Sequence, residues 1–231
     1  MKQPTFLERF KVYTMLRRIY DYYLRPRLPR KIGVYNGVPV RDRALFDITD
    51  EQPNYEGALI AALRDVVATT DRCLIVGGGR GVSGTVAANL TGPSGHVTVY
   101  EGSHDQVKLV RETLELAQVS EWTTVHHAIV SKKVEIYGES GDADRISADE
   151  LPNCDTLILD CEGAEISIIN SLDEKPENII VETHAVFGSP ESDVRAALNN
   201  AGYSVVDKKT EYEDRGIHVL TAVTDEELES A

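Results

Sequence analysis

From Pro53 onward the apolar residues keep a rhythm that switches between the helical and the strand period. Ala58, Leu59, Ala62, Leu63 and Val66 share one face at helical spacing, which predicts a helix over 55–68. Short apolar runs at 73–76, 96–100, 123–130, 156–160 and 178–182 predict buried strands. The segments 82–90, 103–117, 164–171 and 190–200 read as the helices between and after them. A polar connection follows the third strand and holds 133–137 and the loop 139–144. Strands and helices alternating in this way require right-handed crossovers, hence a parallel sheet covered by helices on both faces. The chain closes on two strands, 203–207 and 216–223, with only a charged loop between them. That pair predicts an antiparallel hairpin at one sheet edge.

Upstream of Pro53 the pattern changes. Residues 32–40 predict a small hairpin, in which Asn36-Gly37 supplies the positive φ angles of a two-residue turn and Pro39 confines its strand to an edge. In the first 25 residues Phe6, Phe10, Tyr13, Arg17 and Tyr20 fall three and four apart, predicting an amphipathic helix that Pro26 and Pro29 end. A chain of 231 residues holds one well-buried domain with an appendage. The expected division is therefore an arm over 1–31 and one α/β domain over 32–231. No apolar run approaches the roughly 20 residues of a membrane span, and the N-terminus has no apolar stretch of the secretory kind. Three cysteines (Cys73, Cys154, Cys161) without metal spacing read as reduced thiols of a cytoplasmic protein.

The net charge of −14 is unevenly spread. The arm carries nine Lys and Arg against Glu8 and Asp21, so the acidity belongs entirely to the body. Such a body repels phosphate backbones, which argues against a nucleic-acid partner. The basic, aromatic arm suits either an anionic membrane surface or packing against an acidic surface, its own body or a second subunit. The lysine-poor, carboxylate-rich composition resembles that of proteins from salt-loving archaea. The sequence leaves the oligomeric state open.

Candidate chemistry begins at Leu74-Ile75-Val76-Gly77-Gly78-Gly79-Arg80-Gly81-Val82-Ser83-Gly84, an apolar strand running through glycines into a helix. Open parallel sheets bind ligands at the carboxyl ends of their strands, where glycines let the backbone approach closely. Gly79, Gly81 and Gly84 satisfy the G-x-G-x-x-G of dinucleotide binders, and Gly77, Gly79 and Gly81 satisfy the G-x-G-x-G of methyltransferases equally well. Glu101, followed by Gly102, closes the next strand, where a carboxylate can accept the ribose hydroxyls that NAD and S-adenosyl-L-methionine share. These features point to an adenosine ribose and leave the cofactor open. Methyltransferases usually place an acid two residues before the first glycine. Ile75 stands there instead, so the methionine end needs another partner, for which Glu56 is a candidate. Glu56 also reads simply as an acid favoured by the dipole at a helix start.

The segment Asp155-Thr-Leu-Ile-Leu-Asp160-Cys-Glu162-Gly163-Ala164-Glu165 is a buried strand ending in alternating carboxylates. It resembles the FkbM-type methyltransferase family, whose hallmark is a hydrophobic strand followed by Asp-x-Glu-Gly-Ala-Glu. The family's next element, a strand ending in Glu-x-His, has its counterpart in Ile179-Ile-Val-Glu182-Thr-His184. The resemblance covers about residues 53–208. It implies the Rossmann-like class I methyltransferase fold, S-adenosyl-L-methionine as cofactor, and an adenine pocket where Val125-His-His127-Ala128 ends its strand. It also implies a sugar or glycan-linked hydroxyl or carboxyl as acceptor; the basic arm, outside the resembled region, adds that an enzyme held at a membrane would meet lipid-linked glycans.

Methyl transfer requires alignment of a nucleophile and, for a hydroxyl, removal of its proton. Asp160 and Glu162 are two apart, so on a continuing strand both face one side, and Glu182 and His184 repeat that spacing. Asp160 is expected near the methyl donor, with His184 or Glu182 as base or substrate clamp. These four side chains also suit Mg or Mn, but the resembled family is not generally metal-dependent, so no metal is expected. His126-His127, being adjacent on a strand, is a poor chelate. Glu165 reads as a helix cap or a partner for a surface charge. The alternatives are an NAD-dependent oxidoreductase, for which no Tyr-x-x-x-Lys pair is present, and a non-catalytic nucleotide-binding module.

Overall fold

The computed structural model describes residues 17–131 and 143–230. Strands β1 (Arg30–Tyr35), β2 (Val38–Ala44) and β3 (Glu51–Gln52) form a small sheet in the order β2-β1-β3. The predicted hairpin is present. Asn36 and Gly37 take φ of 47° and 86°, and Pro39 lies on β2, an edge strand. Helix α1 (Gly57–Val66) then leads to β4 (Arg72–Val76), α2 (Val82–Thr91), β5 (His96–Glu101), α3 (His104–Leu116) and β6 (Thr123–Ser131). The second half comprises β7 (Asp144–Ser147), β8 (Thr156–Leu159), α4 (Glu165–Ile169), β9 (Asn178–Glu182), α5 (Glu191–Asn200), β10 (Tyr203–Tyr212), β11 (Ile217–Thr224) and α6 (Asp225–Ser230).

Eight strands form the main sheet in the order β10-β11-β9-β8-β4-β5-β6-β7. The six from β9 to β7 run parallel, while β11 runs antiparallel to both β9 and β10. The closing hairpin therefore sits at a sheet edge, as its missing helix predicts. Strand alternation sorts the core into two layers. Cys73 and Ile75 of β4 join Leu59 and Leu63 of α1, Ala87 of α2 and Val110 of α3 on one face, together with Tyr35, Val38 and Val40 of the small sheet. Leu74 and Val76 face the other way, toward Ile168 of α4 and Val194 and Leu198 of α5. Ile75, Ile158 and Ile180 are wholly buried, each contributing about 1.5–3 kcal/mol of transfer free energy.

Two expectations need correction and two fall outside the described residues. Strand β7 extends the sheet beside β6, in a segment whose charged Asp144-Arg145 start gave no strand signal. The helix over 55–68 begins only at Gly57, because Glu56 adopts a left-handed φ of 49°. Of the N-terminal helix the structure describes residues 17–27, which end in a π turn over Tyr20–Leu24 and a 3-10 turn over Arg25–Arg27. Its first sixteen residues, and the predicted element at 133–137, lie outside the described set. No helix among the described residues is long and apolar enough to cross a membrane.

Candidate active site

The chain leaves β4 toward β5 on one side and later returns to place β8 on the other. At such a reversal the carboxyl ends of the two strands bound a crevice. Gly77, at φ 98°, lets the end of β4 lie directly on that of β8, for a Cβ there would stand 1.8 Å from the Asp160 carbonyl oxygen. The crevice is a cleft of about 590 Å³, in the range of small-ligand sites. Of the residues expected to hold a cofactor, Glu56, Gly77, Gly79, Glu101, Gly102, Ala128 and Asp160 all border it. Gly78 and Gly81 serve the turn itself, the first against Val99 and the second against Val110 and Thr113. Ile129, Val130 and Ser131 continue the wall beyond Ala128. A smaller cavity of about 190 Å³, beside Arg72, Cys154 and Asp155, lies at the amino ends of β4 and β8, away from these groups.

Glu101 is folded back onto the glycine turn. Its Oε2 accepts from the backbone N–H of Gly78 and of Gly79, each at 3.0 Å, and its Oε1 accepts from Ser103 N at 2.7 Å. In dinucleotide sites those glycine N–H groups cradle an anionic pyrophosphate. Here a carboxylate already takes them, and its Oε1, which accepts only from Ser103 N, keeps a lone pair for a ribose hydroxyl. Glu56 faces the same cleft with an Oε2 that is buried and without a hydrogen-bond partner. Burial pushes its pKa up to about 7, against the pull of the Tyr55 hydroxyl and Arg80. Glu56 does stand at the N-cap of α1, but its side chain makes no cap hydrogen bond. Glu211 of β10 caps α1 instead, accepting from Gly57 N at 3.1 Å and Ala58 N at 2.5 Å. Sequence spacing gave no hint of that contact across 154 residues.

Arg80, inside the glycine turn, was also missed. Its Nε donates to Asp42 of β2 at 2.8 Å and its Nη1 to the Tyr55 hydroxyl at 3.1 Å. The guanidinium also lies over the rings of Tyr35 and Tyr55, 5.6 and 5.2 Å from their centroids. The small sheet thereby holds Arg80 and Tyr55, both of which border the cleft.

At the ends of β8 and β9 the structure brings Asp160, Glu182 and His184 together. His184 Nε2 lies 3.5 Å from Asp160 Oδ1 and 3.4 Å from Glu182 Oε1, while Nδ1 donates to Glu165 Oε1 at 2.9 Å. Burial of the imidazole, which lowers its pKa, is outweighed by these carboxylates, so the pKa rises to about 10. His184 is thus an imidazolium near neutrality, suited to hold carboxylates and unsuited to act as a base. Burial, then the charges of Glu182 and Glu56, push Asp160 well above the ordinary carboxylate range. Asp160 is 24% exposed, toward the cleft, and is the group placed to exchange a proton with a ligand. Ligand atoms of Asp160, Glu182 and His184 all fall within 4.8 Å of one another; in the protein described here the imidazolium holds the two carboxylates.

Glu162 and Glu165 behave differently from their spacing. Strand β8 stops at Leu159, and Glu162 takes φ 50° in the following turn. Its side chain is exposed at the cleft mouth rather than aligned with Asp160. Glu165 meets no surface charge: it is fully buried, and its Oε2 accepts from Gly163 N at 2.8 Å. Burial raises its pKa, but the hydrogen bonds it accepts, that from His184 foremost, together with the His184 charge outweigh burial and lower it. His126 stacks on Tyr100, whereas His127 turns toward His104 and Gly102, so the adjacent histidines do part to opposite sides.

Neither a scan of known protein families nor a search of curated proteins finds a match for this chain. Solved structures do resemble it. A protein of the NADB-Rossmann superfamily from Streptococcus agalactiae aligns with a TM-score of 0.51 at 14% identity, over 72% of this chain and 67% of that one. The ribosomal protein L11 methylase of Lactobacillus delbrueckii subsp. bulgaricus gives 0.55 at 12% identity, over 79% and 88%. The precorrin-6y C5,15-methyltransferase of Geobacter metallireducens GS-15 gives 0.51 at 15% identity, over 75% and 89%. The chain therefore has the Rossmann-like fold of class I methyltransferases: a mostly parallel sheet, helices on both faces and a closing antiparallel hairpin.

Proposed function

We propose that this protein is an S-adenosyl-L-methionine-dependent O-methyltransferase of the FkbM type, acting on a hydroxyl of a sugar or glycan-linked acceptor. The observation that carries the choice of cofactor is the Glu101 carboxylate on the N–H groups of Gly78 and Gly79. It repels the pyrophosphate of NAD and suits the neutral ribose of S-adenosyl-L-methionine. The unpartnered Glu56 oxygen fits the ammonium of the methionine end, replacing the acid absent at Ile75. Ala128 and its neighbours on β6 fit the adenine.

When bound, the cofactor supplies an electrophilic methyl group on a sulfonium. Asp160 then accepts the proton of the acceptor hydroxyl as its oxygen engages that methyl. The His184 imidazolium holds Asp160 in place, and Glu165 and Glu182 hold His184. Glu162, at the mouth, contacts the acceptor. A cleft edged by so many carboxylates favours a neutral hydroxyl over a carboxyl acceptor. The acidic body disfavours nucleic acid, and the composition suits concentrated salt. The basic segment 1–31 holds the enzyme at a membrane whose glycans are lipid-linked.

Calorimetric titration tests the cofactor: S-adenosyl-L-methionine is expected to bind, NAD not, and Glu101→Ala to weaken the first at least tenfold. Binding of NAD alone would overturn the reading in favour of an oxidoreductase.

A further inference from the structure

Two segments far from each other in purpose lie side by side at the start of the chain. The turn that ends the arm exposes Tyr22, Tyr23 and Leu24, at 74%, 57% and 55%. The loop after β2 exposes Leu45, Phe46 and Ile48, at 49%, 67% and 89%. Specific contacts join them. Arg25 pairs with Asp47 at 3.1 Å, Leu45 N donates to Pro29 O at 3.1 Å, and Lys31 Nζ donates to Asp47 O at 3.2 Å. Asp47 also accepts from Ala44 N at 3.0 Å, which fixes the loop so that Phe46 and Ile48 stand out. An apolar group 89% exposed gains nothing from the fold. Several in one place mark an interaction surface.

Charge selects the occupant. Residues 17–50 carry eight Lys and Arg against four Asp, in a chain of net −14. Some of these cations are paired, as Arg30 is with Asp42 and Lys31 with Asp50, but the surplus remains positive. Pressing two copies together through this surface would oppose cation to cation. Tyrosines and arginines flanking short apolar side chains fit the boundary of a bilayer, where rings sit at headgroup level and guanidinium groups reach phosphates.

We propose that residues 17–31 and the loop Leu45–Ile48 form one surface that docks on an anionic phospholipid bilayer. The proposal deepens the membrane placement above by adding a second, structurally fixed element that does not depend on the arm's amphipathic pattern. The surface adjoins the cleft: Arg30 pairs with Asp42, and Asp42 holds Arg80 of the glycine turn. Docking therefore brings the cleft close to lipid-borne acceptors.

The test is co-sedimentation of the full chain with vesicles of phosphatidylglycerol and phosphatidylcholine, or of phosphatidylcholine alone, in the lowest salt that keeps the protein folded. Wild type is expected to pellet with the anionic vesicles and to stay in solution with the neutral ones. Phe46→Ser/Ile48→Ser is expected to bind them about tenfold more weakly, and Arg18→Glu/Arg27→Glu to lose the preference for anionic lipid. Both variants change exposed side chains, and circular dichroism with cofactor titration checks that fold and site are intact. Wild type that remains in solution overturns the proposal, as does a loop variant that pellets like wild type or equal pelleting with neutral vesicles. A dimer in light scattering that the loop variant dissolves also overturns it, in favour of a second copy as occupant. Cofactor binding is read separately, so failure here leaves the methyl-transfer reading standing.

Discussion

Replacing Glu56 by Gln keeps the size of the side chain and removes its charge. In the unliganded protein burial raises this carboxyl to about 7, and its Oε2 has no partner. Pairing with the ammonium of S-adenosyl-L-methionine needs the ionised form, so below pH 7 each binding event must first expel a proton. The ionised fraction rises from about one in eleven at pH 6.0 to about three in four at pH 7.5. Wild-type affinity is therefore expected to rise about eightfold across that interval, strengthening as pH increases. A charge-assisted hydrogen bond is worth about 1.5–3 kcal/mol, so Glu56→Gln should bind roughly ten- to hundredfold more weakly at pH 7.5, with little slope against pH. Calorimetry at several pH values, in buffers of matched ionic strength, reads both quantities. A Gln variant that binds as tightly as wild type, or a wild-type affinity flat from pH 6.0 to 7.5, would refute the assignment of Glu56 to the methionine end.

Other outcomes follow from the same geometry. Gly77→Ala places a Cβ 1.8 Å from the Asp160 carbonyl oxygen at φ 98° and should cost at least about 2 kcal/mol in chemical denaturation. Gly79→Ala, whose Cβ meets only Glu56 and Tyr55 at 3.8 and 3.9 Å but sits at φ 49°, should cost less, about 1 kcal/mol of backbone strain, and weaken cofactor binding. His184→Ala leaves Glu165 buried without its cation and should destabilise by about 3–5 kcal/mol, with partial recovery when Glu165→Gln is added. Because the folded-state pKa of His184 is raised to about 10, its stabilisation is complete below pH 6.5 and fades as pH climbs toward 10. Wild-type melting temperature should fall through that window more steeply than that of the variant. Raising KCl from 0.1 to 2 M shortens the Debye length from about 10 Å to below 3 Å. The melting temperature of this strongly acidic chain should then rise, and a flat or falling trend would remove the salt-adapted reading.

The sheet was legible because its strands are buried on both sides and its helices on one, so period and length separate them. Cys73–Ile75 and Leu74–Val76 alternate between two cores even though the run looks uniformly apolar. The glycine turn and Glu101 were legible as a pair because both end parallel strands and so share one edge of the sheet. What stayed hidden came from backbone breaks and distant contacts. Glu162 leaves the strand at a left-handed residue, so the two-residue spacing lost its meaning. Glu165 is drawn inward by His184, and Arg80 by Asp42, through contacts that no local pattern encodes. The role of His184 also turned on its neighbours: three carboxylates make it a cation, whereas the bare motif leaves it free to be read as a base.

Methyl transfer itself is the most direct test. Incubating the protein with S-adenosyl-L-methionine labelled in the methyl group, together with a glycan and lipid extract, should move label into an acceptor. Asp160→Ala should lower that transfer at least a hundredfold while Ser192→Ala, on the exposed side of α5, leaves it intact. Label that stays on the cofactor with wild type across broad acceptor sets, or transfer unchanged in Asp160→Ala, would contradict the account.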